Sequence, residues 1–213
     1  MPARRHAPAG LTREAQVVVL ARWPVPGRCK SRLAGGIGIA RAAAVQQRLT
    51  EHTLTVAAQA RASLALSVVV AVAGIGPVAA ERWRWQLGCD RIVPQGAGGL
   101  GLRLQRQLRR ALREGARRVV LVGSDLPEFC AADLLQAFAA LERCDLVLGP
   151  ACDGGYWLIG LTANYPVLFS GIAWGSDQVL RQTEQAASTL GLTVRRLACR
   201  QDLDRPGDLR RWR

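Results

Sequence analysis

The chain has 213 residues, 49% of them apolar, which is enough to bury one core and too little to favour a second domain. Its net charge of +13 would suit a nucleic-acid binder, but the basic residues are spread along the whole chain and no nucleic-acid-binding motif accompanies them, so we expect no nucleic-acid partner. No apolar run approaches the roughly 18 residues that cross a bilayer, and the six cysteines form no CxxC pair, so we expect a cytoplasmic protein without a membrane partner.

In chain order, residues 1–14 are predicted to be a flexible tail and residues 15–213 a single domain. Aliphatic runs of strand length then alternate with stretches of helical periodicity. The predicted strands are residues 16–21, 64–73, 91–94, 118–123, 145–149, 156–161 and 193–197. The predicted helices are residues 39–60, 77–87, 102–114, 131–142 and 177–190, with a short helix that begins near residue 206.

This order predicts the α/β class. Strands that are aliphatic on both faces and separated by helices are typical of a parallel sheet covered on both sides, which makes three layers. No helix separates the strands predicted at 145–149 and 156–161, so we expect a mostly parallel central sheet with a mixed edge. Ligands of such sheets bind beyond the carboxyl ends of the strands, and three loops at that edge carry candidate site residues.

The first loop, residues 22–32, follows the first strand. Gly27 lets the backbone approach a ligand closely, and Arg28, Lys30 and Arg32 place three cations within five residues. Lys30 is the only lysine of the chain, which indicates that this position needs a compact ammonium. The loop suits a pyrophosphate, although it matches neither the Walker nor the dinucleotide motif. The alternative is a solvated basic turn.

The second loop contains Asp125, directly after the strand predicted at 118–123. A carboxylate that leaves a buried strand is held at the rim of the sheet, and Pro127 ends the strand. Mg²⁺ needs only one or two carboxylates when phosphates and water supply its other ligands, so Asp125 is a candidate metal ligand. The alternative is a cap for the helix that begins near Ala131.

The third loop is the Asp153-Gly-Gly-Tyr156 turn between two strands. Asp-Gly and Gly-Gly are common hairpin dipeptides, so structural and functional interpretations are evenly balanced on local grounds. The turn lies at the rim predicted for Asp125, which favours a role in which Gly154 and Gly155 let a substrate lie against the backbone. Cys152 has no histidine base near it in the sequence, which favours an inert thiol.

Two further segments are weaker candidates. The glycine-rich stretch from Gln95 to Arg103 could contact a base or a phosphate, or could be a flexible helix start. Asp204 is either a second metal ligand or the N-cap of the helix opened by Pro206, and the cap is favoured.

Five segments together resemble one family. They are LARWPVPGRCKSRL (20–33), VVLVGSDLP (119–127), DLVLGPACDGGYWLIGL (145–161), FSGIAWGS (169–176) and DLDRPGDL (202–209). Their combination resembles the GT-A-fold, nucleotide-diphospho-sugar-transferase-like family, which includes glycosyltransferases assigned to arsenosugar biosynthesis. The KSRL and Asp-Leu-Pro elements are more distantly similar to those of phospholactate and molybdenum-cofactor guanylyltransferases.

The resemblance implies a Rossmann-like GT-A sheet and a transferase that depends on Mg²⁺ or Mn²⁺. The reaction it implies is glycosyl transfer from a nucleotide-diphospho-sugar to a small-molecule acceptor. Nucleotidyl transfer that releases pyrophosphate and a non-catalytic nucleotide-sugar-binding module stay open as alternatives, as does a homodimer.

The resemblance implies that Gly27, Lys30 and Arg32 contact donor phosphate, that Asp125 binds the metal, and that Asp153 with its glycines lines the reaction centre. Together with the candidates read from the loops themselves, it gives the following expected roles. Asp153, Lys30 and Arg32 would be catalytic, Asp125 would bind the metal, and Asp204 is a second candidate ligand. Donor or phosphate contacts would come from Pro26, Gly27, Arg28, Lys30, Ser31, Arg32, Gln95, Gly101, Arg103, Gly154, Gly155 and Tyr156. Ser31 replaces the family's usual threonine, and Gly99 and Leu102 stand where acidic residues are usual. All these roles require Lys30 and Asp125 to face one another across one cleft.

Overall fold

The structure is a computed structural model that describes residues 14–212. The predicted tail, apart from Glu14, lies outside the described residues, as does Arg213. The strands are β1 (Ala15–Arg22), β2 (Leu66–Ala73), β3 (Arg91–Pro94), β4 (Arg118–Gly123), β5 (Leu146–Pro150), β6 (Tyr156–Leu161) and β7 (Val194–Arg196). The α-helices are α1 (Ser31–Ile37), α2 (Ile39–Ala60), α3 (Pro77–Leu87), α4 (Leu100–Arg113), α5 (Ala131–Ala140) and α6 (Val179–Thr189), and Pro166–Phe169 and Pro206–Arg211 are 3₁₀ helices.

The strands form one sheet in the order β3-β2-β1-β4-β6-β5-β7. All neighbouring pairs are parallel except those of β6, which runs antiparallel to both β4 and β5. The predicted α/β class and mostly parallel sheet with a mixed edge are therefore confirmed. The antiparallel strand is not the outermost one, because β7 pairs with β5 beyond it.

Both faces of the sheet are buried. Val17 and Val19 of β1 point into a cluster that includes residues of α2 and α5, whereas Val18 points into a second cluster with residues of α4 and α6. Successive strand residues point to opposite faces, so an uninterrupted valine run supplies both cores. This explains why β1 has no polar alternation in its sequence.

Helix α1 is an α-helix that sequence periodicity does not predict. It is seven residues long and contains Gly35 and Gly36, both unfavourable within a helix. A Cβ at Gly36 would lie 2.3 Å from Cγ of Pro206, so this glycine allows α1 to pack closely against the C-terminal 3₁₀ helix.

The topology brings the candidate loops to one edge of the sheet. Because β1 and β4 are parallel neighbours, the loops that follow Arg22 and Gly123 leave the same edge. Because β6 is antiparallel to β4, its first residue, Tyr156, lies at that edge too. Among the described residues, no helix is both long and apolar enough to span a membrane.

Candidate active site

A first cavity of about 520 Å³ opens where these loops meet. Its lining combines cations, carboxylates and the carboxyl ends of the central strands. The polar and charged members are Arg22, Lys30, Ser31, Arg32, Gln46, Gln95, Arg103, Ser124, Asp125, Tyr156, Asp202 and Asp204.

Lys30 is the centre of the cavity's contacts. Its Nζ lies 2.8 Å from Oδ1 of Asp125, and it also donates a hydrogen bond to the carbonyl of Leu203. The Lys30 side chain is only 3% exposed, whereas that of Asp125 is 47% exposed. Lys30 therefore joins three distant segments, and it faces Asp125 in one cleft as the sequence hypothesis requires.

The backbone at Lys30 is unusual. Its φ of 49° and ψ of 47° are left-handed, and among residues 14–212 it is the sole residue other than glycine with positive φ. Lys30 directly precedes α1, so this conformation turns the chain from the loop into the helix. Local strain of this kind persists where surrounding contacts fix it.

Arg32 contacts the C-terminal acidic segment. Its Nη1 donates a 2.7 Å hydrogen bond to Oδ2 of Asp204. The predicted N-cap role of Asp204 is wrong, because the carboxylate that accepts from the backbone N–H groups of Asp204 and Arg205 is that of Asp208. The Asp204 carboxylate faces the cavity instead. Asp125 caps no helix either, since α5 is capped by Cys130 and Asp133.

Asp202 is a site residue that sequence reasoning did not assign. It lines the cavity, and burial raises its pKa to about 7, with further increases from the nearby carboxylates of Asp125 and Asp153. A backbone hydrogen bond of 2.8 Å from Leu203 to the Asp125 carbonyl holds this segment in place. The repeated Asp-x-Asp was the only signal in the sequence.

The Asp153 turn borders a second cavity of about 370 Å³, which adjoins the first. The two cavities share Leu20, Arg32, Leu100, Gly123, Tyr156, Trp157 and Asp202. Asp153, Gly155, Trp174, Ser176 and Asp177 line only the second. Oδ1 of Asp153 accepts a 3.0 Å hydrogen bond from the Gly155 N–H.

One wall of the second cavity is aromatic. The rings of Tyr156 and Trp174 meet edge to face, with centroids 6.1 Å apart. Burial raises the pKa of Tyr156. The phenol therefore keeps its proton at neutral pH and is no candidate base.

Three of the residues predicted to contact the donor substrate do not line these cavities. A Cβ at Gly154 would lie 2.2 Å from the Asp177 carbonyl oxygen, and one at Gly101 would lie 2.5 Å from that of Phe169. Both glycines allow close packing of neighbouring chain segments and neither lines a cavity of the cleft, so their contact with the donor substrate stays a prediction. Pro26 does not line the cavities either.

The remaining predicted residues lie near the cleft. Gln95 and Arg103 line the first cavity, and the Gln95 amide also donates to the carbonyls of Ala21 and Ala71, at 3.0 Å each. Gly27 and Arg28 line an adjoining cavity of about 460 Å³, together with Lys30, Ser31, Arg103 and Arg22. Arg22 lies within the loop predicted at 22–32 but was not assigned a role, and the structure makes it the last residue of β1.

The carboxylates of the cleft are candidate ligands of a metal ion. Within residues 14–212, no three His, Cys, Asp or Glu side chains are placed to hold one ion. Magnesium requires only one or two carboxylates, however, and the pKa of Asp202 is raised by its burial and, to a smaller extent, by repulsion from the Asp125 carboxylate. A divalent cation would relieve that repulsion, so the residues fit such an ion.

Comparison with known proteins identifies the family. A family model described as an uncharacterized protein conserved in bacteria, DUF2064, matches residues 53–176, which is more than half of the chain. The chain belongs to this family. The matched region of the DUF2064 family includes Asp125 and the Asp153 turn, but neither Lys30 nor Asp202.

Two relatives have known or assigned activities. The phosphoenolpyruvate guanylyltransferase of Chloroflexus aggregans (strain MD-66 / DSM 9485) is 27% identical over 176 residues, which cover 79% of this chain and 81% of that protein. A Desulfovibrio desulfuricans G20 protein, described from its crystal structure as a candidate nucleotide-diphospho-sugar transferase, is 29% identical with a TM-score of 0.79, covering 90% of this chain and 83% of that one.

More distant structures share the fold. CMP:2-keto-3-deoxy-manno-octonic acid synthetase in complex with CTP has a TM-score of 0.58 at 13% identity, over 93% of this chain and 96% of that one. Rv0371c of Mycobacterium tuberculosis H37Rv in complex with manganese has a TM-score of 0.53 at 21% identity, over 93% of this chain and 97% of that one. Together the comparisons confirm the fold and the family resemblance, and they support the prediction of a transferase.

Proposed function

We propose that the chain is a divalent-metal-dependent transferase that binds a nucleotide-activated donor in the first cavity and an acceptor in the second. The observation that carries the proposal is the 2.8 Å contact between Lys30 and Asp125, which unites the cationic loop and the acidic rim in one cleft. A structural basic turn, the alternative for residues 22–32, would not bury its ammonium against a rim carboxylate.

The donor phosphates would bind to the cationic side of the first cavity. A lysine ammonium has three N–H donors. One donates to the Leu203 carbonyl, and the ammonium forms an ion pair with the Asp125 carboxylate at 2.8 Å. Another N–H can bind a phosphate oxygen, and the guanidinium groups of Arg22, Arg32 and Arg103 line the same cavity. These cations would stabilise the negative charge that develops on the leaving group.

Asp125 would hold the metal with Asp202 or Asp204 as its partner. When bound, a Mg²⁺ or Mn²⁺ ion supplies positive charge to the phosphate oxygens. The manganese complex of Rv0371c supports this proposal through a shared fold. The Arg32 contact would keep Asp204 oriented towards the cavity.

Asp153 would act on the acceptor as a base. Its exposed carboxylate borders the second cavity, and the Gly155 N–H fixes Oδ1, so that Oδ2 can accept the proton of an acceptor hydroxyl. Tyr156 and Trp174 would cover the acceptor's apolar face and exclude water from it.

Sugar transfer is the first candidate reaction, because the similarity to the Desulfovibrio protein spans most of both chains and a second cavity adjoins the donor site. Nucleotidyl transfer is the second candidate, because the Chloroflexus relative is a guanylyltransferase. The first reaction releases a nucleoside diphosphate, and the second releases pyrophosphate. Phosphorus NMR of the products separates them, and binding without turnover would indicate a non-catalytic module.

The test of the metal assignment is calorimetric. Wild type, D125N and the exposed-surface control E51Q are titrated with nucleoside triphosphates and nucleotide sugars, with and without Mn²⁺. We expect metal-dependent donor binding in wild type and E51Q, and at least about a tenfold weaker binding in D125N, the size of one lost charged contact. Unchanged metal-dependent binding in D125N would refute the assignment.

A further inference from the structure

Two exposed thiols face each other beside the proposed reaction centre. The Sγ atoms of Cys152 and Cys199 are 3.5 Å apart, although the residues are 47 positions apart in sequence. Cys152 directly precedes Asp153, and Cys199 lies three residues before Asp202. The pair therefore connects the turn that carries the candidate base to the segment that carries the acidic residues.

Backbone contacts hold the two cysteines together. The Cys152 N–H donates to the Arg200 carbonyl, and the Arg200 N–H donates to the Pro150 carbonyl, at 3.0 Å each. A bridge between Ala151 and Arg200 continues the pairing. The Arg200 side chain is in turn anchored to Asp133 at 2.6 Å. The thiol contact thus follows from the register of two paired segments.

The other cysteines lack this combination of exposure and proximity. Cys29 and Cys89 are buried, and burial raises the pKa of both thiols, that of Cys89 to about 11. Cys144 is partly buried, and burial raises its pKa as well. Cys130 is exposed, but its sulfur is a hydrogen-bond partner of Arg200 and Asp133.

We propose that Cys152 and Cys199 are a redox-active pair that forms a reversible intramolecular disulfide. With a small disulfide such as oxidised glutathione as oxidant, one protein thiolate attacks it and releases one glutathione thiol. The second protein thiolate then attacks the mixed disulfide and releases the other. The protein loses two protons and two electrons, and the oxidant is reduced to two thiols.

The bond would fix the Asp153 turn to the Asp202–Asp204 segment. Closing a long loop removes conformational freedom from the unfolded chain, so the oxidised protein should be more stable to heat. A disulfide in a reducing compartment is typically transient and redox-sensing. The proposal concerns thiol chemistry alone and does not depend on the transferase function.

The test exposes the reduced full-length protein to excess oxidised glutathione, blocks the remaining thiols by alkylation and maps the peptides by mass spectrometry. Wild type should give a monomer with a 152–199 crosslinked peptide, and its Tm should rise by several degrees and return with dithiothreitol. C130S, the exposed-cysteine control, should behave like wild type. C152S and C199S should form no such crosslink and show no rise in Tm.

Three outcomes would overturn the proposal. They are glutathione adducts on Cys152 and Cys199 without an internal bond, a 152–199 crosslink found only between chains on a non-reducing gel, and an internal bond that contains Cys130 instead. Wild-type mapping decides among these even if a serine variant fails to fold. Donor and metal titrations on the reduced protein test the transferase proposal separately.

Discussion

Lys30 maintains a conformation that its residue type disfavours. The left-handed region costs an L-residue roughly 1–2 kcal/mol, and glycine would occupy it at little cost. The chain instead places its only lysine there and buries the ammonium between Asp125 and Leu203. The contacts of the ammonium offset the cost of this backbone conformation, and a lysine kept at such a position supports a functional role for Lys30.

We expect K30M to weaken donor binding by about 10- to 100-fold, because a charged hydrogen bond to phosphate contributes about 1.5–3 kcal/mol. Its unfolding free energy should fall by only about 1–3 kcal/mol, since Asp125 is half-exposed and water can solvate it once its partner is gone. Calorimetry and urea titration measure the two effects.

The control is R41M, which removes an exposed cation from α2 and should bind the donor like wild type. If K30M lost stability but bound the donor with wild-type affinity, Lys30 would be a structural residue only.

The raised pKa of Asp202 predicts that the stability of the metal-free protein depends on pH. Its pKa is raised from 3.8 to about 7, so the folded state favours the protonated carboxyl. The resulting stabilisation is fully present below the unfolded pKa and is lost as the pH rises through the folded pKa. As the pH rises from 4 to 7, the loss of this stabilisation should therefore lower the free energy of unfolding by about 1–3 kcal/mol.

The measurement is urea unfolding of wild type and D202N with a chelator present, at pH 4.5 and pH 7.5. The other carboxylates titrate in both proteins, so the difference between the two proteins isolates Asp202. D202N should gain stability relative to wild type as the pH rises. A difference that is constant with pH would contradict the prediction.

Lys30 and Asp125, which the sequence predicts as site residues, and Asp202, which it does not, differ in how the chain positions them. Lys30 and Asp125 follow neighbouring parallel strands, and strand topology alone brings their loops to one edge. Asp202 lies in a segment without regular structure, 77 positions after Asp125 by their numbers, and a backbone contact of Leu203 places it. No local pattern encodes such a contact.

Among the elements, periodicity was sufficient for every strand and for the long helices, because both faces of the sheet require aliphatic residues. It failed at α1, whose two glycines argue against a helix. The reason for Gly36 is its contact with Pro206, which lies in the C-terminal 3₁₀ helix. Glycines chosen for close packing are indistinguishable in sequence from glycines chosen for a turn or a ligand.

Gly154 gives a test of that distinction. Its φ is 86° and a Cβ would meet the Asp177 backbone, whereas Gly171 has a φ of 72° and open space around it. G171A should therefore lower the free energy of unfolding by only about 1 kcal/mol, the cost of placing an alanine at positive φ. G154A should lower the free energy of unfolding by clearly more, about 2–4 kcal/mol. The added Cβ would force the Asp153 turn away from the loop that precedes α6.

Urea unfolding of the two variants provides the comparison. G154A should also weaken acceptor binding, since the separation would open the second cavity. Equal losses in G154A and G171A would mean that the close approach at Gly154 contributes nothing.

At the scale of the whole molecule, the sheet ties both layers of helices into one structure. Strand β1 pairs with β2 on one side and β4 on the other, and its residues alternate between the two hydrophobic clusters. If the helices of one cluster detached, they would expose one face of β1, a strand that both clusters share. We therefore expect residues 15–213 to unfold as a single domain.

The region matched by the family model makes this expectation testable. Residues 53–176 contain β2 to β6 but lack β1, so in that fragment β2 and β4 would lose their common partner. We expect the fragment to be unfolded by circular dichroism and amide exchange, whereas residues 14–212 should unfold in one transition that is the same by circular dichroism and tryptophan fluorescence. A cooperatively folded 53–176 fragment, or two separate transitions in the longer chain, would show that β1 does not unite the sheet.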